Sequence, residues 1–241
     1  MDPKSKNYGF RVTLSPKGYF KDIENDFEIG KIYFSVKGGI FTVGYDDKTQ
    51  EERAKELTEA TIREWEFRND KKIDYDLDEQ RWKPKDGNAL IHARTLKMKA
   101  STSDRLIITT TKKVLGIIYT IISDSHDFNV DGIKIMIIAN NESLKKVLKI
   151  YKDEVLSPGI QGKAYYGIYK ILEELKYNIG GLDKLSEITG ISKTKLEKIK
   201  QSAQPQRHAK TSARETISIH ESKRITRKLI DKYISYLVEK I

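Results

Sequence analysis

The sharpest local pattern in this 241-residue chain is Leu182-Asp-Lys-Leu-Ser-Glu-Ile-Thr-Gly-Ile-Ser-Lys-Thr-Lys-Leu-Glu-Lys-Ile199. A helix-turn-helix needs a small residue where its helices cross, a glycine in the turn, and apolar residues fastening the second helix to the first. Ser186, Gly190, Ile191, Leu196 and Ile199 stand at those spacings. At helical periodicity Leu196 and Ile199 face inward, while Thr194, Lys198 and Gln201 face outward beside Lys193, Lys195 and Lys200. Such a face suits a major groove, with lysines on phosphates and Thr194, Lys198 or Gln201 near base edges. Glu197 argues mildly against it, since it would lie close to phosphates. The same residues also describe an ordinary pair of packed helices joined by a glycine turn, and both uses stay open.

Charge points the same way as the groove reading. The chain carries 45 Lys and Arg against 35 Asp and Glu, a net of +10. Residues 1–140 hold 24 basic and 23 acidic side chains, whereas residues 141–241 hold 21 and 12, so nearly all the excess is C-terminal. Between Gly190 and Lys228 there are eleven basic residues and three acidic ones. An excess concentrated at one end implies a polyanionic partner there. The candidate nucleic-acid-binding set is therefore Lys193, Thr194, Lys195, Lys198, Gln201, Arg207, Lys210, Arg224, Arg227 and Lys228. DNA is favoured over RNA, with no catalysis and no cofactor expected, and a homodimer stands among the candidate assemblies.

Further along, Gln204-Pro-Gln-Arg207-His208-Ala-Lys210 leads through Arg214 into the basic helix start Lys223-Arg-Ile-Thr-Arg-Lys228. The order from Leu144 to Leu237 resembles the helical C-terminal region of poorly characterised prokaryotic proteins. Some of those are associated with phage defence and compared with the HEPN superfamily. The resemblance implies an alternative function, a metal-independent ribonuclease using an Arg-x(4–6)-His pair in a dimer cleft. Arg214-Glu-Thr-Ile-Ser-Ile-His220 has that spacing. On that reading His220 would be the acid–base group and Arg214 would hold the scissile phosphate. A third reading makes the chain an adaptor whose N-terminal sheet binds another protein.

Other chemistries fare worse. Asp74, Asp76 and Asp78 with Glu79 could gather a divalent metal, but Glu79 stands where a calcium loop needs glycine and Lys85 where it needs a closing glutamate. A solvated strand face fits that row better. The chain has no cysteine, which removes disulfides, thiolate zinc sites and cysteine nucleophiles. Of the four histidines His92, His126, His208 and His220, none are spaced i, i+4, so no metal site is expected. Ser125-His126-Asp127 names the members of a hydrolase triad, yet adjacent side chains point apart. Tyr165, Tyr166, Tyr169 and Tyr177 could stack on bases, although their helical spacing suits core packing.

The elements that must position these residues predict an α+β protein, with a small antiparallel sheet and one long helix followed by an all-helical C-terminal unit. Phe10–Leu14, Lys31–Val36 and Ile40–Gly44 read as strands, the last two joined at Lys37-Gly38-Gly39. Thr49 to Asn69 is helical, with Ala54, Leu57, Ala60, Ile62 and Trp65 as its apolar stripe. Strict alternation returns from Lys72 to Asp78 and from Leu90 to Ala100, and Leu106–Thr111 is a further apolar run. Residues 112–140 fit strand or helix equally. Helices then follow from a capping Asn141, from Lys163 to a break at Gly180-Gly181, across 182–202 and from Glu221, with a polar stretch lacking apolar periodicity from Gln201 to Thr216. The expected domains are 1–125 and 140–241. No apolar stretch reaches membrane-spanning length and the start Met1-Asp-Pro-Lys-Ser-Lys lacks a secretory h-region, so the expected compartment is the cytoplasm without a membrane partner.

Overall fold

The computed structural model describes residues 3, 6–16, 20, 23–76, 108–114, 117–123, 131–157, 161–208 and 217–241. The fold is α+β. Seven strands of the described residues, β1 (Tyr8–Ser15), β2 (Glu24–Ile29), β3 (Ile32–Lys37), β4 (Ile40–Tyr45), β5 (Asp74–Asp76), β6 (Ile108–Val114) and β7 (Ile117–Ser123), form one sheet. Its order is β5-β1-β4-β3-β2-β7-β6. Every pairing is antiparallel. The seven helices of the described residues are α1 (Glu51–Asn69), α2 (Gly132–Asn140), α3 (Glu142–Ile150), α4 (Gln161–Ile179), α5 (Leu182–Thr189), α6 (Lys193–His208) and α7 (Ile219–Glu239).

Alternation writes the sheet. Phe10, Val12 and Leu14 of β1, Phe27 and Ile29 of β2, Ile32, Phe34 and Val36 of β3, and Phe41 and Val43 of β4 are all buried. Phe27 and Phe34 are direct cross-strand partners and stack with ring centroids 4.7 Å apart, and Phe41 lies 5.7 Å from Phe34. Gly38 and Gly39 take φ of 55° and 84°, which matches the tight hairpin expected there. A second hairpin turns at Gly30 and Lys31, both at positive φ.

The chain forms two compact units that do not follow sequence order. One comprises Met1–Thr58 and Ile73–Gly132; the other comprises Glu59–Lys72 and Ile133–Ile241. The second therefore contains the C-terminal half of α1 as well as the helices after it. The ambiguity over residues 112–140 resolves both ways, because Ile117–Ser123 is a strand and Gly132–Asn140 a helix. Within α2 the consecutive residues Ile135, Met136, Ile137, Ile138 and Ala139 are all buried. A helix buried on all sides shows no apolar stripe, so periodicity could not have announced it. The alternating stretch Leu90–Ala100 lies outside the described residues.

Within the second unit, α4 touches α3, α5, α6 and α7 and buries Ile168, Ile171, Leu172 and Leu175. Asn141 caps α3 as expected, its Oδ1 accepting the Leu144 N–H at 2.9 Å. After Ile150 the helix widens into one π-helical turn, Tyr151–Val155. Gly167 of α4 packs on that turn, and a Cβ placed there would lie 2.7 Å from the Glu154 Cβ. Gly167→Ala should gain about 1 kcal/mol of helix propensity. Overpacking a tight crossing costs about 1–3 kcal/mol. Contact at 2.7 Å with a neighbouring Cβ puts this site toward the upper end, so a net loss of up to about 2 kcal/mol is expected in urea unfolding. A variant as stable as the parent would show that the crossing opens freely.

Candidate nucleic-acid interface

α5 enters through Gly181, ends at Thr189 and passes to Gly190, whose φ of 63° is left-handed and open to glycine without strain. Ser186 does more than make room at the crossing. Its hydroxyl donates to the Ile191 carbonyl at 2.7 Å and so closes the turn from inside. Thr189 is buried and its hydroxyl donates back to the Leu185 carbonyl at 2.6 Å. Leu185, Ile191, Leu196 and Ile199 are buried, which fastens α6 to α5.

With that face inward, the opposite face of α6 is fixed by helical geometry. Thr194, Lys195, Lys198 and Gln201 are all exposed, as the periodicity expects, and so is Lys193. Thr194, Lys198 and Gln201 follow at i, i+4 and i+7 and form a single stripe. Lys193 is partly occupied by Asp183 at 2.7 Å, whose hydrogen bond and charge raise the lysine above its ordinary pKa. Lys200 turns toward Glu173 of α4 at 3.3 Å. Burial alone would raise the Glu173 carboxyl, but Lys176 and Lys200 override it and hold it below the usual range.

Two polar contacts set α6 against the start of α7. The Ile217 N–H donates to Ser202 Oγ of α6 at 2.9 Å. The Ile217 carbonyl accepts from the Tyr165 hydroxyl of α4 at 2.8 Å. Ser218 then caps α7 by accepting the Glu221 N–H at 3.2 Å. In the first turn Arg224 donates from Nε and Nη2 to the two Glu221 oxygens at 3.0 and 2.8 Å. Those bonds hold the Glu221 carboxyl below its ordinary range, and the charge of Lys195 on α6 adds to the effect. Charge from α6 and α7 thus acts on one carboxylate, by direct bonds from Arg224 and through space from Lys195.

Arg227 and Lys228 continue along α7. Arg227 is anchored twice, by the Asp70 carboxylate and, at 2.6 Å, by the Arg68 carbonyl. Asp70 follows the C-terminal end of α1 at a left-handed φ of 49° and also accepts from the Tyr151 hydroxyl at 2.5 Å. With Lys228, Arg224 and Arg227 line a cavity of about 370 Å³ in the helical unit.

Eight of the ten predicted binding residues are thereby placed, with their side chains, on α6 and α7. Arg207 lies in the last turn of α6, with its side chain outside the described residues, and Lys210 is outside them altogether. The α6 helix also runs through Pro205 to His208, farther than a polar stretch beginning at Gln201 suggested. His220 is exposed on the first turn of α7, while Arg214 lies outside the described residues. Asp78 and Glu79 of the acidic row also fall outside them. Tyr165 proves to be a structural hydrogen-bond donor, and Tyr177 is 84% exposed at the end of α4. Arg68 and Lys134, which share the cavity wall, carried no signal in the sequence beyond an i, i+4 partner for Arg68 in Glu64.

No protein-family model, curated protein or solved structure matches the chain. Among the described residues no helix is long and apolar enough to cross a membrane.

The Tyr151–Asp70–Arg227 chain has a measurable pH signature. Burial pushes the Tyr151 hydroxyl well above its ordinary pKa, and the hydrogen bond to the Asp70 carboxylate adds to the rise. The folded chain therefore keeps a proton that the unfolded chain releases above about pH 10, and stability falls as pH rises past that point. Tyr151→Phe should flatten the alkaline decline in unfolding free energy between about pH 9.5 and 11. Identical slopes for parent and variant would disprove the assignment.

Proposed function

We propose that this protein binds nucleic acid, duplex DNA foremost, through the outward face of α6 and the basic first turns of α7, without catalysis. The observation that carries the reading is the exposed stripe Thr194, Lys198 and Gln201, with Lys195 beside it, on a helix whose other face is locked by Leu196 and Ile199. Side chains able to reach base edges sit on a rigid element, and cations able to meet phosphates border it. The charges of Lys195 on α6 and Arg224 on α7 both act on Glu221, which supports extending the reading from α6 onto the first turn of α7. The excess of basic residues between Gly190 and Lys228 supplies the long-range attraction. Glu197 stays half-exposed on α6 and weighs against very close backbone approach on its side.

Binding of this kind releases counterions. With about five phosphates neutralised, log K against log salt should slope near −4.5 for a duplex. Lys198→Ala removes an exposed side chain, so the thermal midpoint should hold while affinity falls several-fold and the slope shrinks by about 0.9. A flat salt dependence in fluorescence anisotropy with duplex DNA would overturn the proposal. Unchanged affinity for Lys198→Ala would overturn the role of α6.

A further inference from the structure

The cavity beside Arg224, Arg227 and Lys228 has a composition that groove binding does not require. It is walled by three helical segments of the second unit: Phe67 and Arg68 near the end of α1, Lys134 on α2, and the α7 stripe from Arg224 to Ile234. Residues 224, 227, 228 and 231 recur at i, i+3, i+4 and i+7, so α7 presents one continuous face to it. Its volume of about 370 Å³ lies at the small end of ligand pockets and suits one small molecule rather than a strand.

We infer that this cavity binds a small phosphomonoester, a free nucleoside monophosphate in particular, at a site distinct from the α6 stripe. The arginines come with their planes set. Asp70 and the Arg68 carbonyl hold Arg227, and Glu221 grips Arg224 through Nε and Nη2. Each guanidinium has five N–H donors and keeps three of them for a ligand. Lys228 is exposed and has no hydrogen-bond or ion-pair partner among the described residues, which makes it the mobile cation that can close on a phosphate. Charge sets the class of ligand. Five cations and two carboxylates line the cavity, and Asp70 and Glu221 neutralise two of the arginines from behind, leaving a net of one positive charge. A phosphomonoester carries about −1.5 to −2 near neutral pH, which this site matches far better than the larger charge of a triphosphate. The other end of the ligand would meet different chemistry. Phe67 and Ile234 give apolar surface, and the exposed Asp231 can accept from a sugar hydroxyl or a base amino group.

The test is titration calorimetry of the full chain with AMP, GMP, CMP and UMP, with ribose 5-phosphate and inorganic phosphate as comparators. At least one nucleoside monophosphate should bind. Lys228→Ala should weaken it at least tenfold, and Asp231→Asn should weaken it several-fold while leaving phosphate unchanged. Lys198→Ala should leave this binding intact, so the pocket and the α6 reading fail separately. No heat with any nucleotide at millimolar concentration, or equal affinity in Lys228→Ala, would overturn the site. Ribose 5-phosphate binding as tightly as the nucleotides would overturn the nucleoside part. A 5′-phosphorylated oligonucleotide that depends on Lys228 where free nucleotides do not would overturn a free ligand in favour of a strand end.

Discussion

One carboxylate ties the helical unit together. Asp70 sits just beyond the C-terminal end of α1, where the helix dipole disfavours an acid and the left-handed backbone disfavours a residue with a Cβ. Both costs are offset by what the position reaches: the Tyr151 hydroxyl from the π-turn after α3 and the Arg227 guanidinium from α7. Three segments far apart in sequence therefore meet on a single side chain. The same stretch of α1 repeats the arrangement with buried acids. Glu66 is 3% exposed and pairs with Lys152 at 2.8 Å, and Glu64 is equally buried and pairs with Arg68. Buried pairs of this kind add little net stability, but losing one partner strands a charge and typically costs about 3–5 kcal/mol. Their effect here is to fix which basic groups stay structural and which remain exposed.

That division explains why the basic residues of the C-terminal region do not all serve one purpose. Lys152 is consumed by Glu66, Arg227 is fixed by Asp70, and Lys193 leans on Asp183. Lys195 and Lys228 remain exposed. A count of charges along the chain treats these residues alike, whereas the fold sorts them into anchors and contacts.

The parts legible from the sequence were those whose signal is local. The Gly38-Gly39 hairpin, the Asn141 cap, the glycine break after α4 and the stripe on α6 depend only on neighbours within a few residues. Strand β2 escaped because its inward positions include Asn25, and only Phe27 and Ile29 alternate as apolar residues within an acidic segment. Helix α2 was illegible for the opposite reason, an excess of apolar residues with no polar face. The cavity could not be foreseen at all. Lys134, Arg68 and Arg227 are separated by dozens of residues, and only tertiary packing brings them to one wall. The Arg227–Asp70 contact spans 157 positions, a distance at which no periodicity speaks.

The second unit is also discontinuous, with residues 73–132 lying between its two stretches of chain. During synthesis Glu64 finds Arg68 within α1 itself, but Glu66 and Asp70 emerge long before the cations that neutralise them. Glu66 and Asp70 must stay hydrated until Lys152 of the π-turn and Arg227 of α7 have left the ribosome, so the helical unit closes late. Non-local closure of this sort is slow, because the entropy of the long loop is lost before its contacts form. An isolated C-terminal fragment would have the basic helices without the acids that hold two of their cations in place.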